Sequence, residues 1–255
     1  MTADNPACSL TFSPRESARF ELRVFRGRSN GVDAATLREE LEREKVDVAI
    51  LRLPAQSLRS VVALTGMELR PIVADTLVNY TTELQTSAHA RAGKHLVRLR
   101  RADASDAAAL EAMVRRIFAG YTNHYHANPL FAPDRILDGY VEWAMHHVAS
   151  NDEGRFTWMV EADRSAVGFS CVLFDTRSGQ SRGVLNGIVP EARGRGLYRA
   201  MLQSMLGELA DEGSSEFAIS TQVHNVAVQR VWAAERFTLD SAENTVHINA
   251  MFGRR

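Results

Sequence analysis

A short turn rich in arginine and glycine is the part of this sequence whose residues most clearly suggest chemistry. Arg193-Gly194-Arg195-Gly196 follows an apolar run ending at Val189 and precedes an amphipathic stretch with helical spacing. Glycines at a strand-to-helix turn let the backbone approach a ligand, and a helix N-terminus offers free N–H groups and a positive dipole end. The spacing matches neither a Walker loop nor the dinucleotide fingerprint. We therefore predict a pyrophosphate-binding turn, the alternative being a turn that merely packs a helix on a strand.

A second candidate region combines aromatic rings, histidines and carboxamides. Its polar and aromatic members are Tyr121, Asn123, His124, Tyr125, His126 and Asn128. Such a wall suits a sugar or a nucleotide, and histidine is the side chain that most often deprotonates an incoming group. The alternative is a capped loop whose rings pack and whose histidines are solvated. No third residue has a spacing suited to a metal ligand, so we expect no metal.

The elements that must position these groups follow from periodicity. Within residues 95–255, the predicted strands are 95–100, 155–161, 166–174, 182–189, 216–221 and 245–252. The predicted helices begin after Asp103, after Pro133, at Leu197 and at Asn225. Leu197, Met201, Met205 and Leu209 give the third of these helices a buried stripe. The arginine-glycine turn therefore joins a strand to a helix.

Residues 21–84 predict a smaller β-α-β-α-β segment. Asp33 begins its first helix, Pro54 ends its second strand and Gly66 ends its second helix. Residues 85–94 are polar and small, which favours a linker. We therefore predict a domain over 1–84, a linker over 85–94 and a catalytic domain over 95–255.

Composition limits the class of protein. The chain has 255 residues, 45% of them hydrophobic, and a formal net charge of -1, so no charge excess attracts nucleic acid. Lys45 and Lys94 are the only lysines, and most of the arginine excess fits codon bias. Cys8 and Cys171 suggest neither a disulfide framework nor a metal site. We see no secretory signal and no apolar run long enough to span a bilayer, and we expect a cytoplasmic protein.

The turn and its context resemble the acyl-CoA signature of the GCN5-related N-acetyltransferases (GNAT superfamily), (Gln/Arg)-x-x-Gly-x-(Gly/Ala). The order of strands and helices from residue 95 to residue 252 is also similar to that fold, and 225–237 (NVAVQRVWAAERF) resembles its next motif. The resemblance implies an α/β (α+β) fold with a mixed, twisted sheet flanked by helices, here preceded by a smaller truncated GNAT-like domain. It also implies acetyl-CoA or another acyl-CoA as co-substrate.

The resemblance further implies roles for individual residues. Backbone amides of the turn would hold the CoA pyrophosphate. The strand before the turn would pair with the pantetheine arm and polarise the thioester carbonyl. Asn225 would help to hold the pantetheine arm, and Arg230 would reach the remaining phosphate of CoA. The implied cofactor-binding residues are Ile188, Val189, Arg193, Gly194, Arg195, Gly196, Leu197, Tyr198, Asn225 and Arg230. The candidate catalytic residues are His124, His126 and Asn186.

Three positions depart from the family pattern. Tyr198 replaces the last small residue of the signature, Trp232 stands where the next motif usually has a proton-donating Tyr, and Arg236 replaces a Gly before Phe237. Without that phenol the identity of the general acid is open. A thiol with an ordinary pKa near ~8.5 nevertheless leaves readily near neutral pH.

The whole chain is also similar to the TDP-fucosamine acetyltransferase type of sugar N-acyltransferase, in layout and in short stretches such as 20–24 (FELRV) and 49–54 (AILRLP). This resemblance implies a nucleotide-linked deoxyamino sugar as acceptor, attacked directly in a ternary complex. The implied substrate-binding residues are Tyr121, Asn123, His124, Tyr125, His126 and Trp232. The alternatives are a different small amine (aminoglycoside, polyamine or amino acid) and a non-catalytic CoA-binding protein. No membrane or nucleic-acid partner is expected, and a homodimer stays open.

Overall fold

The computed structural model describes residues 9–66, 71–84, 96–149 and 152–254. Its helices are α1 (Pro14–Phe20), α2 (Ala34–Arg43), α3 (Leu58–Thr65), α4 (Ala107–Phe118), α5 (Pro133–Val148), α6 (Leu197–Asp211) and α7 (Val226–Ala234). Its strands are β1 (Thr11–Phe12), β2 (Val24–Arg28), β3 (Val48–Pro54), β4 (Pro71–Glu83), β5 (Arg98–Arg101), β6 (Arg155–Ala162), β7 (Ser165–Asp175), β8 (Gln180–Ile188), β9 (Glu216–Gln222) and β10 (Thr238–Asn249). The predicted mixed α+β class is confirmed.

The chain forms two compact units. Unit 1 contains the described residues of Met1–Val78, Thr122–Ile136 and Ser241–Arg255, and unit 2 contains those of Asn79–Tyr121 and Leu137–Asp240. The units therefore differ from the boundaries predicted from the sequence, because two segments of the predicted catalytic domain, Thr122–Ile136 and Ser241–Arg255, belong to unit 1. The predicted linker and Cys8 lie outside the described residues.

Unit 1 is built on a mixed sheet in the order β1-β2-β3-β10-β4. Strands β2 and β3 are parallel, and β10 runs antiparallel to β3. Because side chains alternate along a strand, one face carries an apolar set that packs under α2 and α3. The members of this core include Phe25, Leu37, Leu41, Ala49, Leu51, Leu53, Leu64, Val246 and Ile248. The opposite face carries polar residues, including Arg26, Arg52, Thr245 and His247.

The strands of unit 2 stand in the order β4-β9-β8-β7-β6-β5 within a mixed sheet. Two buried clusters support it. The first joins α4 and α5 to β6, β7 and β8 through residues such as Leu110, Ile117, Phe169 and Leu185. The second joins α6 and α7 to β9 through Met205, Leu209, Phe217 and Trp232. The helix stripe predicted from Leu197 to Leu209 is confirmed as buried.

Local signals in the sequence located most elements, and the missed ones are instructive. Asp33 accepts a hydrogen bond from the Thr36 N–H at 2.8 Å, and Asp103 forms a capping box with Asp106 before α4, as predicted from residue type. The helix α1 and the strand β1 were missed. The last strand was predicted at 245–252, but β10 already begins at Thr238. Its first residues, TLDSAEN, are mostly exposed and lack the apolar alternation that reveals a strand.

Candidate functional site

Strands β8 and β9 of unit 2 part midway along their length. Their parallel pairing runs only from Gln180↔Glu216 to Gly183↔Ile219, whereas β8 continues to Ile188 and β9 to Gln222. On its other side, β8 pairs Leu185 with Cys171 but Gly183 with Val172, which leaves Val184 as an extra residue in β8. A β-bulge of this kind bends its strand. The bulge therefore coincides with the point at which β8 leaves β9.

The parted stretch of β8 presents backbone groups to the side that β9 has left. The Val189 N–H donates to the Val167 carbonyl of the β7 side at 2.9 Å. Because successive residues of a strand point their N–H and C=O groups to alternate sides, the main-chain groups of Asn186 and Ile188 face the opposite side. An extended ligand with its own amide groups can pair with such an edge as an additional strand. These amides also suit polarisation of a carbonyl oxygen.

The arginine-glycine turn follows β8 after one short 3₁₀ turn, Pro190–Ala192. Gly194 and Gly196 both have left-handed backbone conformations, with φ of 78° and 75°, and a Cβ atom built on either would meet nothing within 4 Å. Gly196 is the N-cap of α6, and no side chain caps this helix end. The N–H groups of Leu197, Tyr198 and Arg199 in the first turn therefore lack intrahelical acceptors. Open space before free N–H groups at a helix N-terminus fits a pyrophosphate.

The side chain of Arg193 holds this turn in place. Its Nε donates to the Ile188 carbonyl at 3.2 Å and its Nη2 donates to the Ile117 carbonyl, also at 3.2 Å. These two bonds join the end of β8 to the end of α4. Arg195 is paired instead with Asp163 at 2.7 Å on the surface. The backbone of the turn, rather than the Arg193 guanidinium, is thus what the geometry offers to a phosphate. Arg230 is exposed on α7.

Two of the three departures from the family pattern contact each other. The Trp232 Nε1–H donates to the Tyr198 hydroxyl at 3.1 Å. Trp232 is 1% exposed and lies edge-on against Tyr80, so it is a core residue, which does not favour the predicted substrate contact. Burial raises the pKa of Tyr198, while the hydrogen bond from Trp232 acts in the opposite direction. In the described part of the chain the Tyr198 hydroxyl has this one partner, an indole that only donates, so its own proton stays available.

At the C-terminal end of β9 (Glu216–Gln222), polar side chains of unit 2 form a second group. The Tyr121 hydroxyl donates to the Gln222 carboxamide oxygen and lies 3.3 Å from the Thr221 hydroxyl. The Asn225 Nδ2 donates to the Thr221 hydroxyl at 3.0 Å. Tyr121 and Asn225, both singled out from the sequence, are therefore brought together. Thr221 and Gln222 were missed as site residues, although the predicted strand 216–221 ends beside the Asn225 motif, which was a usable signal.

The other residues of the Tyr121–Asn128 loop belong to unit 1, and three of them, Asn123, His124 and Asn128, are buried. Asn123 forms a capping box with His126, and His126 itself is exposed. The Tyr125 hydroxyl donates to Glu16 and accepts from Arg26 Nη2, the latter at 2.6 Å.

Behind this loop, unit 1 contains a buried imidazole pair. The Nδ1 of His124 lies 2.9 Å from the Nε2 of His247, and Asn128 Nδ2 donates to the Asn249 carboxamide oxygen at 2.8 Å. His124, Tyr125 and Asn128 thus make hydrogen bonds within the fold of unit 1.

The electrostatics of this interior fit a structural role. Burial would raise the pKa of Glu16, but hydrogen bonds and the charge of Arg26 lower it to about 2. Burial lowers the pKa of His247 to about 4, and it lowers the pKa of His124 well below its usual value. At neutral pH the network therefore contains an ionised Glu16 and two uncharged imidazoles. A buried histidine that resists protonation is a poor proton acceptor in catalysis.

Two further candidates concern nucleophiles and metals. Cys171 is fully buried, burial raises the pKa of its thiol to about 12, and Thr157 donates a hydrogen bond to its sulfur at 3.3 Å. Such a thiol is not a reactive nucleophile. Within the ranges that the structure describes, no group of three or more His, Cys, Asp or Glu residues is placed to hold a metal.

The helices of the described residues were also compared with the dimensions of a membrane. None of them is long and apolar enough to cross one.

Comparison with known proteins identifies the family. The acetyltransferase (GNAT) domain family matches residues 85–223, which is more than half of the chain. The chain therefore belongs to the GNAT acetyltransferase family. Comparison with curated protein sequences gives no match.

Solved structures with the same fold are distant in sequence. A conserved protein of unknown function from Staphylococcus epidermidis is 11% identical, with a TM-score of 0.66 over 98% of this chain and 93% of that one. A GCN5-related N-acetyltransferase from Sphaerobacter thermophilus is 12% identical, with a TM-score of 0.62 over 95% and 76%. Another from Kribbella flavida is 12% identical, with a TM-score of 0.55 over 89% and 81%. At these identities the likeness concerns the fold.

Proposed function

We propose that this protein transfers an acetyl or other short acyl group from acyl-CoA to a primary amine of a small molecule. The observation that carries the proposal is the parting of β8 from β9 directly before the glycine turn. The edge of β8 offers amides to the pantetheine arm and the turn offers N–H groups to the pyrophosphate. Both proposed ligand contacts come from the backbone, so they depend little on side-chain identity.

The transfer proceeds by direct attack in a ternary complex. The amine nitrogen attacks the thioester carbonyl carbon, the main-chain amides of β8 stabilise the developing oxyanion, and the carbon–sulfur bond then breaks. The amine loses a proton and the departing thiolate gains one. The buried Cys171 offers no alternative route through an acyl-enzyme.

Tyr198 is the proton donor in this proposal. Its hydroxyl is held by the indole of Trp232, and its own proton is free to leave towards the thiolate. The family pattern has a proton-donating Tyr at the position of Trp232 on α7. In this proposal the phenol of Tyr198 on α6 takes that role. General acids usually accelerate a reaction ~10²–10⁴-fold. Because a thiolate is already a good leaving group, we expect proton donation by Tyr198 to accelerate the transfer by only about tenfold.

His126 is the candidate general base. It is the exposed histidine of its loop, and its Nδ1 lies 3.0 Å from the Asn123 carboxamide oxygen. Its Nδ1 also accepts a hydrogen bond from the Asn123 backbone N–H at 3.2 Å, so the neutral ring carries its proton on Nε2, and Nδ1 is the atom that takes up the amine's proton once this bond is released. His126→Gln should then lower kcat/KM by about 10²-fold. An unchanged kcat/KM would remove His126 from the mechanism and leave the transfer itself intact.

For the acceptor, we propose the amino group of a nucleotide-linked deoxyamino sugar. The support is the resemblance of the whole chain in layout to sugar N-acyltransferases of the TDP-fucosamine type. The rival acceptors are an aminoglycoside, a polyamine or an amino acid. The near-zero net charge disfavours polycations, which usually bind in acidic clefts.

The experiment is to mix the pure protein with acetyl-CoA and each acceptor class in turn and to follow release of the CoA thiol. Turnover that is fastest with TDP-linked amino sugars supports the full proposal. Faster turnover with another acceptor class would support the acyltransferase activity and would replace the amino sugar as the proposed acceptor. Tight CoA binding in calorimetry without turnover on any amine identifies a non-catalytic CoA-binding protein and refutes the enzyme.

A further inference from the structure

The second face of the unit 1 sheet carries several polar side chains, of which Thr245 and His247 are fully buried while Arg28 is exposed. The strand registers place Arg28 opposite Arg52 and Arg52 opposite Thr245, so these side chains form one row across β2, β3 and β10. On β4, Thr76 contacts Asn244 with an oxygen–oxygen distance of 2.9 Å. Because side chains alternate along a strand, Asp75 then lies on the other face, together with Thr245.

Most charges on this face are paired within unit 1. Arg26 donates to Glu16 at 2.5 and 2.6 Å, and Arg28 donates to Glu243 at 2.9 Å. These ion pairs leave Arg52 and Asp75 as the remaining opposite charges in the row.

Arg52 and Asp75 are not bonded to each other. In the described ranges, Arg52 Nη1, both carboxylate oxygens of Asp75 and the Thr245 hydroxyl have almost no solvent-accessible surface and no hydrogen-bond partner. Buried polar groups are nearly always hydrogen-bonded, so four orphan atoms on one face of the sheet need an explanation. The strand order supplies one, since β10 lies between β3 and β4 and separates their backbones by about 9–10 Å.

We propose that this row binds a small zwitterion, an α-amino acid or a close analogue, whose carboxylate bonds to Arg52 and whose ammonium bonds to Asp75. The Thr245 hydroxyl can donate to one group or accept from the other. A ligand with both charges keeps the row neutral, whereas a simple anion leaves Asp75 unpaired and a simple amine leaves Arg52 unpaired. The inference rests on residues of unit 1 only and needs neither acyl-CoA nor turnover.

The test is calorimetric titration of the full chain, without acyl-CoA, with each proteinogenic amino acid. Acetate and ethylamine serve as probes that carry one charge each. At least one amino acid should bind, and both single-charge probes should bind at least about tenfold more weakly, because each leaves one buried charge unmatched. Arg52→Gln and Asp75→Asn should each abolish the binding. Arg43→Gln, on the exposed face of α2, is the matched control and should bind as the wild type does.

Two results would overturn the proposal. The first is that no amino acid binds to the wild-type chain, in which case the orphan atoms are bridged by water. The second is that Asp75→Asn and Arg52→Gln, shown to be folded by circular dichroism, bind the same amino acid with unchanged affinity. If a variant does not fold, Thr245→Val provides a test with a smaller perturbation: weaker binding of the amino acid supports the assignment, and unchanged binding by this folded variant refutes it.

Discussion

The glycine turn of unit 2 (193–196) and the histidine-rich loop of unit 1 (122–128) differ in the hydrogen-bonding groups that they leave free for a ligand. The difference is the opposite of what their residue types suggest. The loop has the side chains that are usual in active sites, yet His124, Tyr125 and Asn128 make hydrogen bonds with other residues of unit 1. The turn at Gly194 and Gly196 has no reactive side chain, yet it presents free backbone N–H groups to open space. Hydrogen-bonding capacity that is left over, rather than the number of chemically capable residues, is what indicates a ligand.

The largest effect that tests this comparison is in unit 1. Arg26→Met leaves Glu16 buried at 5% exposure without its main counter-charge. Because a buried charge that loses its partner is strongly unfavourable, we expect the free energy of unfolding to fall by about 3–5 kcal/mol. Urea denaturation measures it, with the exposed Arg43→Met as control. A loss under about 1 kcal/mol would mean that the network does not hold the loop.

A somewhat smaller effect should appear on acidification. Burial lowers the pKa of His247 to about 4, so between its ordinary value and about 4 the unfolded chain binds the proton and the folded chain does not. Stability is therefore present at neutral pH and is lost as the pH falls through this window, by about 3 kcal/mol in total. Glu16 acts separately at lower pH, because its stabilisation is lost between its ordinary pKa and about 2.

The measurement is the urea midpoint as a function of pH. His247→Gln should reduce the pH dependence between about pH 6.5 and about pH 4, and the part that remains is due to His124, whose pKa is also lowered by burial. His126→Gln, at an exposed position of the same loop, should leave the profile as it is in the wild type. A wild-type profile that is flat over this window would contradict the buried, uncharged state of the imidazole pair.

The smallest effect concerns unit 2. Tyr198→Phe removes the hydroxyl bonded to Trp232 and should lower kcat about tenfold, equivalent to about 1.4 kcal/mol, with KM for acyl-CoA unchanged. Tyr80→Phe is the control, since this ring also packs on Trp232 while its hydroxyl bonds to Gln229. Equal kcat values for the wild type and Tyr198→Phe would show that the thiolate leaves without this proton.

The sequence predicted what local signals determine. The caps at Asp33 and Asp103, the buried stripe of α6 and the strand–turn–helix around Gly196 depend on neighbouring residues, and each is observed. The fate of the histidine-rich loop depends on partners more than 100 positions away, namely Glu16 for Tyr125 and His247 for His124. No local pattern contains that information.

The same distinction between local and long-range contacts explains why the sequence located the arginines of the turn but did not reveal their hydrogen-bond partners. Their positions next to the glycines suggested phosphate ligands, and sequence spacing correctly placed them before the helix. The Arg193 side chain instead reaches the Ile117 carbonyl, 76 positions earlier, because the end of α4 lies beside the end of β8. The departures at Tyr198 and Trp232 were visible one by one, but their hydrogen bond became visible only in three dimensions.

The central claim is that the turn around Gly196 binds acyl-CoA, and calorimetric titration of acetyl-CoA tests it most directly. Gly196→Trp fills the open space before the helix, and Gly213→Trp is the matched control, because Gly213 also has a positive φ and nothing within 4 Å of an added Cβ. We predict wild-type affinity for Gly213→Trp and at least about 100-fold weaker binding for Gly196→Trp, a loss of about 2.8 kcal/mol. Equal affinity of both variants would contradict the account.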